Sequence, residues 1–243
     1  MKGTVEYRFA DIHCHVLPGV DDGSKDLKNS IEMLRIAESE GITAMFLTPN
    51  FIMEHSVSPE RVKKAFSALK AEMAKEDIQI DVRLGNELYY LSGVEEMLNT
   101  GRAFTLNGTR YVLVEFGPGA DYVYIRNSLV SLQRAGYKPI IAHVERYQKL
   151  LSVEKVRFLR DSGVRIQVNA ASISGEAGFF LKRFVKKLLD NGLVDYVGTD
   201  AHSTGKRSPR VAKCMKVLMD KYDDEYVADI VYRNTMSLFQ TKE

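Results

Sequence analysis

Cysteine is scarce in this sequence, with only Cys14 and Cys214 among 243 residues. Two cysteines do not make a disulfide framework, and so few are typical of a protein from a reducing compartment. A cysteine-dependent phosphatase follows its nucleophile with a phosphate-binding arginine, but the matching positions, six residues after each cysteine, hold Val20 and Asp220. A thiol mechanism is therefore disfavoured.

Long hydrophobic runs and a net charge of either sign are also missing. No window approaches the roughly 20 apolar residues that a membrane-spanning helix needs, and residues 1–10 lack a long apolar stretch. Lys and Arg total 34 against 32 Asp and Glu, so no overall field favours nucleic acid or an anionic membrane. We therefore expect a cytoplasmic protein with no nucleic-acid partner and no membrane insertion.

Apolar runs alternate with amphipathic stretches along the chain, and this pattern predicts repeated β/α units. The predicted strands cover residues 7–15, 42–48, 80–87, 111–116, 139–143, 164–169 and 194–199. The predicted helices cover residues 26–40, 58–75, 122–135, 153–161 and 179–191, and residues 209–239 are expected to be mainly helical. The order favours a single α/β domain over residues 1–243, built as a closed or nearly closed parallel barrel, with an open doubly wound sheet as the alternative.

Side chains that can bind metals stand at the carboxyl ends of five predicted strands. They are His13 and His15 on the first, Glu87 on the third, Glu115 on the fourth, His143 on the fifth, and Asp200 with His202 on the seventh. Carboxyl ends of parallel strands converge on one face, and strand residues two apart point the same way. Seven donors exceed the needs of one ion, so the sequence predicts two or three.

The types of these residues indicate the metal and the chemistry. Imidazoles mixed with carboxylates suit Mn²⁺, Fe²⁺ or Zn²⁺, and clusters of such ions mainly perform hydrolysis. Taken singly, Glu87 reads as a solvated strand end and Glu115 as a buried structural acid. Together they favour a metal site, because ionised carboxylates beside apolar strands are costly unless a cation compensates them.

Five phrases together resemble a known superfamily. They are residues 11–23 (DIHCHVLPGVDDG), 85–87 (GNE), 114–116 (VEF), 141–146 (IAHVER) and 199–202 (TDAH). In order and spacing they are similar to the polymerase and histidinol phosphatase (PHP) superfamily. More narrowly, the chain resembles its bacterial protein-tyrosine phosphatase branch, which is associated with capsule and exopolysaccharide biosynthesis.

This resemblance implies a distorted (β/α)7 TIM-like barrel of PHP type with a trinuclear centre that usually prefers manganese. It implies hydrolysis of phosphotyrosine by metal-bound hydroxide without a phosphoenzyme. Carried over by position, His13, His15, Glu87 and Asp200 hold one ion, Glu87 bridges to a second held also by Glu115 and His143, and His202 helps to bind a third.

Two arginines and two acids are the other candidate catalytic residues. Arg146 and Arg207 match the phosphate-binding arginines of the superfamily, and guanidinium groups bind phosphate in a bidentate way. A solvated loop charge is the plain alternative for each. Asp21 or Asp22 is suited to orient a metal-bound water or to protonate the leaving phenolate. A turn formed by Asp21, Asp22 and Gly23 is the structural alternative.

The chain departs from the resemblance at the end of the second strand. The superfamily usually has Thr-Pro-His there, and its histidine binds the third metal, whereas this chain has Asn50 after Thr48 and Pro49. An amide oxygen is a weaker ligand than an imidazole for a transition metal. Three alternatives follow: Asn50 coordinates weakly, His55 reaches back from the same loop, or two metals suffice. We expect a weakened third site, with His55 in solvent.

The predicted function is hydrolysis of phosphotyrosine in a protein, with a bacterial tyrosine kinase as the expected partner. Tyr89, Tyr90, Tyr122 and Tyr124 are candidates to pack against a phenyl ring, and core or surface tyrosines are the alternative. A small-molecule phosphatase, such as one for histidinol phosphate, is the second enzymatic reading, and a nuclease is the third. The alternative of a different class is a relative that binds phosphotyrosine with weak or no turnover. The sequence indicates no oligomeric state.

Overall fold

The computed structural model describes residues 7–240, and nine parallel strand segments form its centre. The segments are β1 (Phe9–Cys14), β2 (Ile42–Leu47), β3 (Asn50–Phe51), β4 (Asp81–Leu84), β5 (Glu87–Tyr89), β6 (Tyr111–Glu115), β7 (Lys138–Ile141), β8 (Arg165–Asn169) and β9 (Tyr196–Gly198). Eight of them fall at the seven predicted strand positions, because the third predicted strand is divided into β4 and β5, whereas β3 lies beyond the predicted second strand, which ended at residue 48. The single-domain prediction for residues 1–243 stays a prediction, since residues 1–6 and 241–243 lie outside the described residues.

The strands curl until the first lies beside the last. One sheet has the order β1-β2-β4, and the other has the order β3-β5-β6-β7-β8-β9. Cys14 and Ala201 form a parallel bridge, and the His15 amide donates to the Ala201 carbonyl at 2.8 Å. The Asp200 amide donates to the His13 carbonyl, also at 2.8 Å. These contacts join β1 to the segment that follows β9 and so close the ring of strands. The predicted parallel α/β barrel is therefore confirmed, and the open sheet is not.

Both interruptions have an identifiable structural cause. Thr48 and Pro49 separate β2 from β3, and Pro49 has no N–H to give to a neighbouring strand. Gly85 and Asn86 separate β4 from β5, and a Cβ at Gly85 would lie 2.5 Å from the Leu106 side chain. Asn86 Nδ2 donates to the Pro49 carbonyl at 2.8 Å and ties the two breaks together. The prediction of one continuous strand over residues 80–87 is therefore wrong.

Within residues 7–240, ten α-helices surround the barrel or follow it. They are α1 (Leu27–Ser39), α2 (Pro59–Lys75), α3 (Val94–Asn99), α4 (Tyr122–Arg134), α5 (Val153–Asp161), α6 (Ala170–Ser174), α7 (Phe179–Asp190), α8 (Ala212–Lys221), α9 (Asp224–Ala228) and α10 (Asn234–Gln240), with a π-helical turn at Asp229–Arg233. The Asp26 and Ser58 side chains cap α1 and α2 by accepting backbone N–H groups. The five predicted helices are confirmed to within one residue at each end, as is the largely helical C-terminal segment.

Apolar side chains from the barrel and from the inner helix faces form the core. Phe9, Leu47, Leu88 and Val114 are fully buried, as are Ile141 and most other strand aliphatics. Within residues 7–240, no helix combines the length and the apolar character that crossing a membrane requires. The core leaves the carboxyl ends of the strands as the place where buried polar residues collect.

Candidate metal centre

The first group of donors lies where β1 ends beside β5 and β9. His13 and His15 are fully buried, and their Nε2 atoms are 3.1 Å apart. Glu87 Oε2 lies 3.1 Å from Nε2 of His13 and 3.2 Å from Nε2 of His15. Asp200 Oδ1 lies 3.7 Å and 3.5 Å from the same two atoms. The structure thus brings together the four residues predicted to hold one ion.

A second group continues from the first through Glu87. Its other oxygen, Oε1, is 2.8 Å from Nε2 of His143, and Glu115 Oε2 is 3.7 Å from that same nitrogen. His143 has a φ of 32° and Asp200 a φ of 53°, in the left-handed region that non-glycine residues rarely adopt. The chain therefore turns sharply where two of the candidate ligands follow their strands. Glu87 faces both groups, as a bridging carboxylate would.

A third group consists of His15, Asp22 and His202. Nε2 of His202 lies 3.5 Å from Asp22 Oδ1, and the His15 and His202 ring centroids are 3.8 Å apart. Asn50 is beside this group, but its Nδ2 donates to Asp22 Oδ1 at 2.8 Å. His55 is exposed and belongs to none of the three groups found among residues 7–240. Asn50, which stands in place of the expected histidine, therefore turns an N–H group toward these residues and not a lone pair that could bind a metal.

The histidine tautomers support a cation at this place. Nδ1 of His13 lies 3.2 Å from Gln167 Oε1, Nδ1 of His15 lies 2.8 Å from Asp21 Oδ2, and Nδ1 of His202 lies 2.9 Å from the Asp200 carbonyl. Each of these partners is an acceptor, so each Nδ1 carries a proton and each Nε2 is the ring atom that would bind a cation. These Nε2 atoms and the carboxylate oxygens converge on one another. Divalent cations that take imidazole and carboxylate ligands fit this set of donors.

The pKa values of two glutamates and one histidine in the centre are also shifted by burial and by their charged neighbours. Burial, followed by the neighbouring charge of Glu87, raises the pKa of Glu115 to about 8. Burial also acts to raise the pKa of Glu87, but His13 and the other histidines hold it well below its usual range. Burial, and then the His15 charge, lowers the pKa of His202 to about 4. A bound cation would allow both glutamates to be ionised together.

Both predicted arginines reach the same carboxylate from the mouth of a cleft. Arg146 Nη2 is 2.5 Å from Asp200 Oδ2, and Arg207 Nη2 is 2.8 Å from Asp200 Oδ1. Their side chains are about half buried, and Lys206 and Arg210 line the same cleft. Arg146 and Arg207 contact Asp200, and two further cations against one acid, Glu176, line the cleft, so the cleft is suited to an anion such as a phosphoryl group.

Sequence reasoning missed a pair of buried amides behind the centre. Gln167 Oε1 accepts from the His143 amide at 2.7 Å and also faces Nδ1 of His13. Gln167 Nε2 donates to Asn169 Oδ1 at 2.8 Å, and Asn169 Nδ2 donates to Asp200 Oδ2 at 3.0 Å. Two amides at alternate positions of an otherwise apolar strand were the available signal. They connect β8 to candidate ligands on β1 and just after β7 and β9.

Asp11 and Asp21, two acids of the first motif, have supporting positions. Asp11 is fully buried and accepts from the His13 and Thr199 amides at 3.1 and 2.9 Å, so it joins β1 to the segment after β9. Burial raises its pKa to about 6 although the Thr199 hydrogen bonds oppose the rise. Asp21 orients His15 through the contact with its Nδ1.

A glycine is required at position 198, at the end of β9, because a Cβ there would lie 2.8 Å from the His13 Cβ.

The tyrosines and cysteines fall into clear positions. Tyr90 is buried against Phe116, with ring centroids 5.7 Å apart, so it is a core residue. Tyr124 is 45% exposed, and its hydroxyl donates to the Tyr90 carbonyl at 3.3 Å. Both cysteines are buried, and burial raises the thiol pKa of Cys14 well above its ordinary value. A buried, protonated Cys14 is unsuited to act as a nucleophile.

The fold and the site define a parallel α/β barrel with clustered candidate metal ligands at the carboxyl ends of its strands. Residues 9–240 match the family described as "Capsular polysaccharide synthesis, CpsB/CapC". The chain belongs to this family, and the resemblance found in its motifs is thereby confirmed. The match spans almost all of the described residues.

Individual relatives agree. The chain is 34% identical over 221 residues to the tyrosine-protein phosphatase YwqE of Bacillus subtilis, which covers 88% of this chain and 85% of that protein. A crystal structure from a study of YwqE from Bacillus subtilis and CpsB from Streptococcus pneumoniae, described as unique metal-dependent tyrosine phosphatases, superposes with a TM-score of 0.88. That match has 31% identity and covers 96% of this chain and 95% of the other.

A more distant structure shares the fold alone. It is the histidinol phosphate phosphatase of Lactococcus lactis, solved with zinc, histidinol and phosphate. Its TM-score is 0.58 at 12% identity, covering 89% of this chain and 95% of that one. The likeness supports the barrel architecture and says nothing about the substrate of this chain.

Proposed function

We propose that this protein is a metal-dependent phosphatase that hydrolyses phosphotyrosine in a protein. The observation that carries the proposal is the convergence of bare imidazole nitrogens and carboxylates beside a cleft lined by Arg146 and Arg207. Support comes also from the relatives, which are named as tyrosine-protein phosphatases. The expected substrate protein is a bacterial tyrosine kinase that controls polysaccharide synthesis, in keeping with the description of the family.

Three sets of residues would hold the cations. The first set is His13, His15, Glu87 and Asp200; the second is Glu87, Glu115 and His143; the third is His202 with Asp22, and Asn50 beside them. When bound, Mn²⁺ or a similar divalent cation polarises phosphoryl oxygens and activates water. Mn²⁺ is the preferred candidate, with Fe²⁺ and Zn²⁺ as alternatives.

The residues of the chain itself position the substrate. Arg146 and Arg207 would bind the phosphoryl oxygens, because guanidinium forks match them and stay charged. We assign Asp22 to the third set, since its Oδ1 already faces His202 and accepts from Asn50. The sequence-based role of Asp22, to orient a metal-bound water or to protonate the leaving phenolate, stays a prediction. Both cysteines are buried, which supports a mechanism without a thiol nucleophile. Both are also free, which is in keeping with the proposed cytoplasmic location.

We further propose that two cations suffice and that the third set binds weakly. Asn50 Nδ2 donates a hydrogen bond to Asp22, so this side chain stabilises the carboxylate. It does not offer the metal ligand that a histidine would provide at the same position. Anomalous scattering at the manganese edge, on crystals grown with Mn²⁺, should give two strong sites and a weak or missing third. Three fully occupied sites would contradict this stoichiometry.

The test of function is the initial rate on three substrates with protein stripped by a chelator and titrated with Mn²⁺. A phosphotyrosine peptide, a phosphoserine peptide and histidinol phosphate are compared at equal concentration. We expect Mn²⁺-dependent turnover that is selective for phosphotyrosine. Selective turnover of histidinol phosphate would instead support the small-molecule alternative. Phosphotyrosine binding without turnover would support a non-catalytic relative.

A further inference from the structure

Two adjacent phenylalanines at the start of α7 are the most exposed large apolar residues described. Phe179 is 70% exposed and Phe180 is 85% exposed. Leu151, at 48% exposure, lines the same groove as Phe180, together with Arg183 and Lys187. Scattered apolar residues on a surface are ordinary, but a contiguous group at one place commonly marks an interaction site. We call Leu151, Phe179, Phe180, Arg183 and Lys187 the α7 patch.

The α7 patch adjoins the cleft of the metal centre. Glu176 and Ala177 line that cleft, and Phe179 follows Ala177 by two residues. Helix α7 also packs against the turn Val144–Arg146, which carries one of the two phosphate-binding arginines. A polypeptide whose phosphotyrosine reaches Arg146 would therefore pass close to the patch.

The charge of the patch indicates the chemistry of its partner. Helix α7 has four basic residues, Lys182, Arg183, Lys186 and Lys187, against Asp190 as its one acid. Two such surfaces would repel each other across a twofold axis, which disfavours a second copy of this chain as the partner. An acidic segment with aromatic or aliphatic side chains would pair with both the cations and the phenylalanines.

We propose that the α7 patch is a docking site for an acidic and apolar segment that flanks the phosphotyrosine in the substrate protein. This inference rests on the proposed function, because it deepens the substrate class of the same site. The patch lies beside the cleft and includes no residue of the three proposed cation sets. It raises the affinity for long substrates and leaves the turnover of small ones unchanged.

The first experiment compares two phosphotyrosine peptides of equal length. One carries an extension that alternates Glu with Phe or Leu, and the other carries a Gly-Ser extension. Both are made with the extension on either side of the phosphotyrosine, through spacers of several lengths. The expected result is a kcat/KM about tenfold higher for the acidic peptide, through a lower KM, which is the size of effect that a few buried aromatic anchors produce.

The second experiment removes the patch in two ways. The double variants Phe179→Ser with Phe180→Ser, and Arg183→Glu with Lys187→Glu, should each abolish the preference and leave turnover of p-nitrophenyl phosphate at the wild-type rate. Phe158→Ser is the matched control, because Phe158 is 54% exposed on α5 and lines neither groove beside α7. Thermal unfolding checks that every variant is folded.

Four results would bear on the inference. If the wild type does not prefer the acidic peptide to the Gly-Ser peptide, or if the preference survives both double variants, the docking site is overturned. Mn²⁺-dependent hydrolysis of p-nitrophenyl phosphate would still uphold the proposed function. Co-sedimentation with phosphatidylglycerol vesicles that the phenylalanine variant loses, without any peptide preference, would assign the patch to a membrane surface and overturn it. If p-nitrophenyl phosphate is not hydrolysed, the proposed function fails. In that case, fluorescence anisotropy of the labelled acidic extension tests the patch on its own. Binding by the wild type but not by the Phe179→Ser, Phe180→Ser variant supports the docking site, and binding by neither overturns it.

Discussion

Replacing Gln167 by leucine should weaken metal binding without touching a metal ligand. Gln167 is fully buried on β8. Its Oε1 accepts from the His143 amide at 2.7 Å and faces Nδ1 of His13 at 3.2 Å. Its Nε2 donates to Asn169 at 2.8 Å. Leucine has a similar size, so Gln167→Leu removes these three contacts and leaves little empty space.

The size of the effect follows from the groups left behind. The His143 N–H loses its acceptor in a dry interior, which costs about 1–3 kcal/mol of folding free energy. His13 loses the acceptor that fixes its tautomer and ring orientation. Removing such a partner of a metal-binding histidine typically lowers affinity about 10–100-fold, or about 1.4–2.7 kcal/mol. We therefore expect weaker Mn²⁺ binding together with a lower melting temperature.

Calorimetric titration of stripped protein with Mn²⁺, combined with thermal unfolding with and without Mn²⁺, measures both effects. Gln167→Glu should restore most of the affinity, because a carboxylate still accepts from His13 and from the His143 amide. Gln133→Leu is the matched control, since Gln133 is half-buried and donates to the Ser162 carbonyl at 2.8 Å, away from the centre. Wild-type Mn²⁺ affinity in Gln167→Leu would refute the reasoning, even if the variant were less stable.

Three further outcomes can be measured. His13→Ala, Glu87→Gln and His143→Ala should each lower Mn²⁺-dependent turnover of p-nitrophenyl phosphate by more than about a hundredfold, with an unchanged circular dichroism spectrum. Asn50→His should add a tighter Mn²⁺ site in calorimetry, because an imidazole replaces the amide beside Asp22 and His202. Asp195→Ala should cost about 2–4 kcal/mol in urea unfolding, because buried Asp195 accepts from Arg160, Arg165 and the Ile166 amide.

Matched variants separate these effects from general damage. His55→Ala should keep full turnover, since His55 is exposed and outside the three donor groups. Asp161→Ala, on the exposed last residue of α5, should leave stability unchanged. Substantial turnover in His13→Ala would count against the metal mechanism. An unchanged number of Mn²⁺ sites in Asn50→His would mean that Asn50 is not what limits the third set.

The parallel barrel and the positions of most candidate ligands were predictable from the sequence. A buried strand in a parallel barrel is apolar along its length, so a polar side chain at its carboxyl end stands out. His13, Glu87 and His143 were found in this way, and strand alternation placed His13 and His15 on one side. The helix bounds followed from local signals, such as the Ser58 cap with Pro59 after it.

The contacts between distant segments were settled only by the tertiary structure. The sequence placed Asn50 at the end of the second strand, but only packing shows that its amide faces Asp22, 28 residues away along the chain. The sequence shows Gln167 only as one of two amides in a largely apolar strand, and its role depends on three strands meeting behind the centre. The break at Gly85 likewise follows from its contact with Leu106. Local sequence patterns encode periodicity and turns, whereas these contacts join residues that only the closure of the barrel brings together.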